Sequence, residues 1–194
     1  MMPFRLLLVF AAALVSAHVV NAQNVSDESM TIQKIAMHGG KIEMDDKLPG
    51  RPVVSVSLAF TSITDAGLKD LIELKDLKSL DLGNTKITDA GLKELKTFKS
   101  LQRLQIHNTE ITDVGLKELS DIKSLVAINI SRTRITDVGL KELIQNQNLT
   151  ELDLFKTKIT EGGLKELKET LPKAKVIRMR CDQRIYSSFV FDVF

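Results

Sequence analysis

The sequence predicts an α/β solenoid, with a concave parallel β-sheet on one side and short helices on the convex side. Three observations predict it. A block of 24 residues recurs down the middle of the chain: Ile63-Thr64-Asp65-Ala66-Gly67-Leu68 returns at Ile87, at Ile111, at Ile135 and, as Ile-Thr-Glu-Gly-Gly-Leu, at Ile159. A fixed period of this length marks an array in which each unit packs only on its neighbours. Within each block the apolar residues first alternate and then fall three apart, which is strand followed by helix or 3₁₀ turn. The chain has no Trp and one Tyr, so its core must be aliphatic.

At 194 residues the chain fits one domain, or one domain plus a leader. Lys and Arg number 27 against 25 Asp and Glu. This balance gives no general drive toward nucleic acid or an acidic membrane surface. Residues 1–22 read as a signal peptide: Arg5, an uncharged apolar stretch from Leu6 to Val15, then Val20-Asn21-Ala22 ahead of Gln23. The apolar stretch falls short of the roughly 20 residues a membrane span needs. No span is expected after cleavage, and a secreted or periplasmic location is.

Residues 23–52 read as an N-terminal cap. Residues 23–30 are polar and expected to be loose. Ile32, Ile35 and Ala36 share a side of a short helix that Gly39-Gly40 ends. Ile42 and Met44 alternate with polar neighbours, as in a strand, and Asp45 to Pro52 is a charged loop.

Residues 53–180 carry the repeats. Leu77, Leu80, Leu82, Thr85 and Ile87 are matched by Leu101, Leu104, Ile106, Thr109 and Ile111 and by two later sets, with a partial copy from Val53 to Ile63. The pattern resembles the leucine-rich repeat family, with Thr where many members place Asn. The Thr-Asp-Ala-Gly-Leu-Lys-Glu-Leu half is similar to the short repeats of exported bacterial proteins abundant in planctomycetes. In the strand half, Leu80 and Leu82 point inward while Ser79, Asp81 and Gly83 face out. Leu92, Leu95 and Phe98 then lie against the sheet, Thr88 or Asp89 caps their turn, and Gly91 lets the neighbouring turn approach closely. One repeat cannot bury enough surface alone, so both ends need caps. Val176 to Arg180 can add a strand, with Ile177 and Met179 inward if the last turn is one residue longer. Residues 181–194 form a tail in which Ile185, Phe189, Phe191 and Val193 share one side. It either covers the open end of the array or docks a partner or a second copy, and the resemblance is silent on it.

Catalytic chemistry finds no support. Cys181 is the only cysteine, which excludes an internal disulfide and a multi-Cys metal site. His38 and His107 are far apart, without zinc-ligand spacing. The column Asp65, Asp89, Asp113, Asp137 and Glu161 lacks the spacing of a calcium loop and reads as helix capping. The threonines from Thr61 to Thr157 read as bonds to backbone where the chain leaves the sheet. No phosphate loop, nucleophile elbow or dinucleotide fingerprint is present, so no cofactor, metal or catalytic residue is expected.

The varied positions on this monotonous frame are the outward strand positions and their edge. Asp81, Arg103, Gln105, His107, Asn129, Arg132, Glu151, Asp153 and Phe155 are the candidate binding residues, with Phe60, Asn84, Asn108 and Lys156 nearby. Arg and aromatic side chains are the usual anchors of interfaces. Six strands span roughly 24 Å and five residues of strand about 17 Å, a face on the order of 400 Å². That is half of the roughly 800 Å² per partner of a standard interface. The resemblance implies recognition of a protein or peptide on this face. An envelope structural role through the tail stays open, and so does a carbohydrate-binding module, although that would want more exposed aromatics than Phe155.

Overall fold

The computed structural model describes residues 22–178. The residues read as a signal peptide, apart from Ala22, lie outside the described residues, as do Met179, Cys181 and the tail from 181 to 194. Helix α1 (Ala22–Met37) is followed by strands β1 (Lys41–Met44) and β2 (Val53–Ser57). The repeats then alternate helix and strand: α2 (Asp65–Leu68), β3 (Ser79–Asp81), α3 (Asp89–Leu92), β4 (Arg103–Gln105), α4 (Asp113–Leu119), β5 (Ala127–Asn129), α5 (Asp137–Leu143), β6 (Glu151–Asp153), α6 (Glu161–Thr170) and β7 (Lys175–Ile177). Short 3₁₀ turns extend α2 and α3, at Lys69–Leu71 and Lys93–Thr97.

The seven strands form one sheet in sequence order. β1 runs antiparallel to β2, and every later pair is parallel. Leu80, Leu104, Ile128 and Leu152 stand in one register column, and the next inward column holds Leu58, Leu82, Ile106, Ile130 and Leu154. All of these are buried, as are Leu92, Leu95 and Phe98 on the helical side. The aliphatic spine is continuous from Ile35 to Leu171.

Three features of the repeat explain how the coils join. Thr61, Thr85, Thr109, Thr133 and Thr157 each donate Oγ1 to the carbonyl three residues earlier, at 2.6–2.8 Å, where the strand ends. Thr88, Thr112, Thr136 and Thr160 cap their helices, accepting a backbone N–H at 3.2–3.4 Å. Thr64 makes no such bond. The aspartates do more than the expected capping. Asp65, Asp89, Asp113 and Asp137 each reach into the next coil, accepting the backbone N–H of its cap threonine at 2.7–2.9 Å and the hydroxyl at 2.6 Å. The glycine of the motif makes room for this clasp. A Cβ built on Gly115 would sit 3.1 Å from Asp89 Cγ and closer still to Oδ1, and Gly91, Gly139 and Gly163 face the same conflict with Asp65, Asp113 and Asp137.

The ends differ from expectation. Residues 23–30 belong to α1 and are not a loose segment. This stretch is polar, so hydrophobic spacing did not reveal it: Glu28 accepts the Val53 N–H at 3.2 Å, and further along α1 Thr31 donates to Asp70 O at 2.9 Å and Lys34 pairs with Asp70. Ile35 is buried and Ile32 half-buried, but Ala36 is exposed. Gly39 closes the helix with a φ of 77°, while Gly39 and Gly40 N–H groups bond back to Ala36 and Ile35 carbonyls at 2.9 Å. At the other end, the last coil keeps the regular register: Val176 pairs with Leu152 and Ile177 with Asp153. Val176 is therefore the residue packed on the core, and Ile177 stands in the outward column, contrary to the inward placement expected of it. Arg178 bonds Glu161 and the Ile159 carbonyl. Glu161 thus meets Arg178 at the position where earlier turns have an aspartate clasp.

Candidate functional site

The outward side chains of β2 to β6 are mostly small, so they lie close to the sheet and shield one another. Ser55, Ser79, Ala127 and Ser131 are buried although they point away from the core. The exception is β4. Arg103 is exposed, Gln105 and His107 are half-buried, and they flank Ser79, Asp81 and Gly83 on one side and Ala127, Asn129 and Ser131 on the other. Large groups in one coil between small ones in its neighbours make a ridge along the middle of the concave face.

His107 leans from that ridge over Gly83. A Cβ on Gly83 would overlap the imidazole ring, so glycine is the residue that leaves the ring its seat. His107 Nε2 lies 3.0 Å from Asn84 Nδ2, and Asn108 Nδ2 donates to Asn84 Oδ1 at 2.7 Å. Three side chains from two coils are thus fixed as one polar strip. Asp81 stands beside it. Its Oδ1 accepts the Gly83 N–H at 2.9 Å. Burial pushes its pKa above the ordinary carboxylate value, against the Gly83 N–H, the His107 ring and the Ser57 hydroxyl, which pull it down.

Asn129 and Asp153 repeat the Asp81 geometry, each accepting the N–H two residues on at 3.0 Å, but both are buried. Their side chains finish their own strands. Glu151 and Phe155 are half-buried on β6 and just beyond it, and Lys156 Nζ sits 5.5 Å from the Phe155 ring centroid. The structure thus brings Asp81, Arg103, Gln105 and His107 together, sets Glu151 and Phe155 two coils away, and keeps Asn129 and Asp153 below the surface. Arg132, exposed, lies on the edge where the chain leaves the sheet.

That edge is backbone-strained. Phe60, Asn84, Asn108, Arg132 and Lys156 have φ between 51° and 60°. The turn lets Phe60, Asn84, Asn108 and Arg132 donate their N–H groups to the next coil at 2.7–3.0 Å. Asn tolerates this conformation, whereas Phe, Arg and Lys adopt it at a cost. Two edge residues escaped the reading of strand columns: Arg134 and Lys158, exposed, one coil apart. The period would have found them, since they share a column with Ser62, Lys86 and Glu110.

Among the described residues no cluster of His, Cys, Asp and Glu is placed to hold a metal ion. No helix among them is long and apolar enough to cross a membrane.

Residues 74–96, 99–120, 122–143 and 145–168 match the family model described as Leucine Rich repeat. The chain is a leucine-rich repeat solenoid. Solved structures with a similar fold include a Leptospira interrogans LRR protein, LIC12759, at 25% identity and a TM-score of 0.45, over 56% of this chain and 27% of that one. An internalin (inlF) from Listeria monocytogenes aligns at 16% identity and a TM-score of 0.44, over 78% of this chain and 55% of that one. The solenoid therefore spans about a quarter and about half of the lengths of those two proteins. No curated protein matches the sequence. Leucine-rich repeat proteins commonly mediate protein–protein interaction, and they are typically non-catalytic binding modules.

Proposed function

We propose that this solenoid is a non-catalytic recognition module that holds a protein or peptide on its concave sheet face, outside the cytoplasm. The observation that carries the reading is the β4 ridge. A frame repeated coil after coil with the same Leu, Ile, Thr, Asp and Gly carries, in one central coil, Arg103, Gln105 and His107 raised between strands of small residues. Small neighbours leave room for a ligand on both sides of the ridge, and Phe155 adds an aromatic contact at one end. Arg and aromatic groups at the centre of a patch are where binding energy concentrates. Export rests on the leader-like residues 1–22.

The test is capture from envelope extract with the chain from Gln23 as bait, repeated with Arg103→Ala, His107→Ala and Phe155→Ala combined. The triple variant, shown by circular dichroism to keep its fold, loses the partner on this reading. Undiminished capture by the folded triple variant removes the concave face from the account. Loss of capture on deleting residues 182–194, with the triple variant still competent, assigns docking to the tail.

A further inference from the structure

The strained edge beside the concave face carries a cluster of exposed cations. Arg132 and Lys156 occupy the same place in successive coils, and so do Arg134 and Lys158. All four are exposed, and none forms an ion pair among the described residues. Successive coils in a parallel sheet lie roughly 5 Å apart, so four cations crowd into two coils. Such a group repels itself in the folded state and draws anions to it. The backbone makes the choice of residue more pointed. At φ of 57° and 55°, Arg132 and Lys156 sit where the two preceding coils have Asn84 and Asn108, residues suited to that conformation. Asparagine eases that conformation in those two coils, whereas Phe60, Arg132 and Lys156 keep it at a cost.

We propose that this edge binds an acidic peptide segment of the protein partner held by the concave face. This rests on the proposed recognition function and names the partner's chemistry. A peptide fits better than a nucleic acid strand. The basic patch is only two coils long, Glu110 precedes it in the Arg134 column, and the whole chain carries a net charge of only +2. A phosphate backbone would want a longer basic track. Phe155, with Lys156 over its ring, places an apolar contact beside the cations. Carboxylates alternating with apolar side chains would satisfy both.

The probe is a short fluorescein-labelled peptide of alternating glutamate and leucine, titrated with the chain from Gln23 and read by fluorescence anisotropy at low and high salt. The array itself supplies conservative variants: Arg132→Asn and Lys156→Asn copy Asn84 and Asn108, Arg134→Ser copies Ser62, and Lys158→Glu copies Glu110. The paired Asn variant should weaken the peptide at least tenfold while melting no lower than the parent, and the fourfold variant should abolish binding. Raising salt should weaken the parent complex. Absence of peptide binding by the parent, or unchanged affinity in the folded fourfold variant, overturns the proposal. Tighter binding of oligodeoxythymidine than of the peptide overturns it in favour of nucleic acid. If the peptide fails while envelope capture still depends on Arg103 and His107, the acidic-segment proposal falls alone. If both fail, the recognition function falls with it.

Discussion

Adjacent glycines in α6 give opposite predictions, and that contrast isolates the clasp between coils. A Cβ at Gly162 would meet only Thr160 Oγ1, at an ordinary contact distance of 3.4 Å. Alanine there should stabilise by about 0.5–1 kcal/mol through helix propensity. At Gly163 the same methyl would lie 2.6 Å from Asp137 Cγ and 3.2 Å from Oδ2, and nearer to Oδ1. The carboxylate must then leave the Thr160 N–H at 2.8 Å and the Thr160 hydroxyl at 2.6 Å. Each hydrogen bond to a charged group contributes about 1.5–3 kcal/mol when shielded. These two are exposed to water, so about 1 kcal/mol each is the fitting magnitude. Gly163→Ala should therefore lie about 2 kcal/mol below Gly162→Ala, and about 1 kcal/mol below the parent, in urea denaturation. In an Asp137→Ala background the methyl meets no carboxylate, and Gly163→Ala should become as benign as Gly162→Ala. The pH dependence has a definite sign. The Thr160 hydroxyl and N–H hold the Asp137 pKa below its ordinary value. Its contribution is full above the unfolded aspartate pKa of about 3.9 and is lost as pH falls through the lower folded value. The penalty at Gly163 should fade in that acid range. If Gly163→Ala stabilises the parent as much as Gly162→Ala does, the clasp does not hold the coils together.

Other substitutions test other parts. Asp81→Asn should keep the bond to the Gly83 N–H, as Asn129 does with Ser131, and should raise the melting temperature at neutral pH. The folded Asp81 pKa is raised, so its ionised form opposes folding above that value, and the gain over the parent should vanish in acid, where both forms are neutral. Asn146 is fully buried in the column of Leu74, Phe98 and Ile122, and its Oδ1 has no partner among the described residues. Asn146→Leu should stabilise by about 1–2 kcal/mol in thermal or urea unfolding, because the Leu119 carbonyl that Asn146 binds keeps the Ile122 N–H. Phe60 is 80% exposed at a φ of 60°. Phe60→Asn should stabilise by about 1 kcal/mol and lower aggregation in light scattering, unless Phe60 contacts a partner.

The repeat made most of the fold legible. Leu80, Leu82, Leu92, Leu95 and Phe98 could be assigned to the interior from spacing alone, because a solenoid repeats one packing problem coil after coil. Polar geometry was less accessible. The Asp–Thr clasp joins residues 23 apart, and an aspartate next to a threonine also fits local capping, so sequence favoured the nearer partner. Helix α1 was read as shorter because its first turns are polar, with no apolar period before Ile32, and Glu28 ties them to the body by a hydrogen bond to the Val53 N–H. Ile177 was placed inward on an assumed extra residue, whereas the ladder kept its 24-residue step from β6 to β7. At the site, alternation identified which side chains point outward but not which are reachable. Asn129 and Asp153 point outward and are buried because small neighbours let them fold onto their own strand ends. Arg103 stays exposed because it is long and its flanking residues are short.

Hydrogen exchange of the solenoid, free and with its captured partner, tests the recognition surface most directly. Slowed exchange should appear in β3, β4 and β5 and at the edge from Arg132 to Lys158, with the convex helices α4 and α5 unchanged. Protection confined to those helices, with the strands and the edge exchanging as before, would contradict the account.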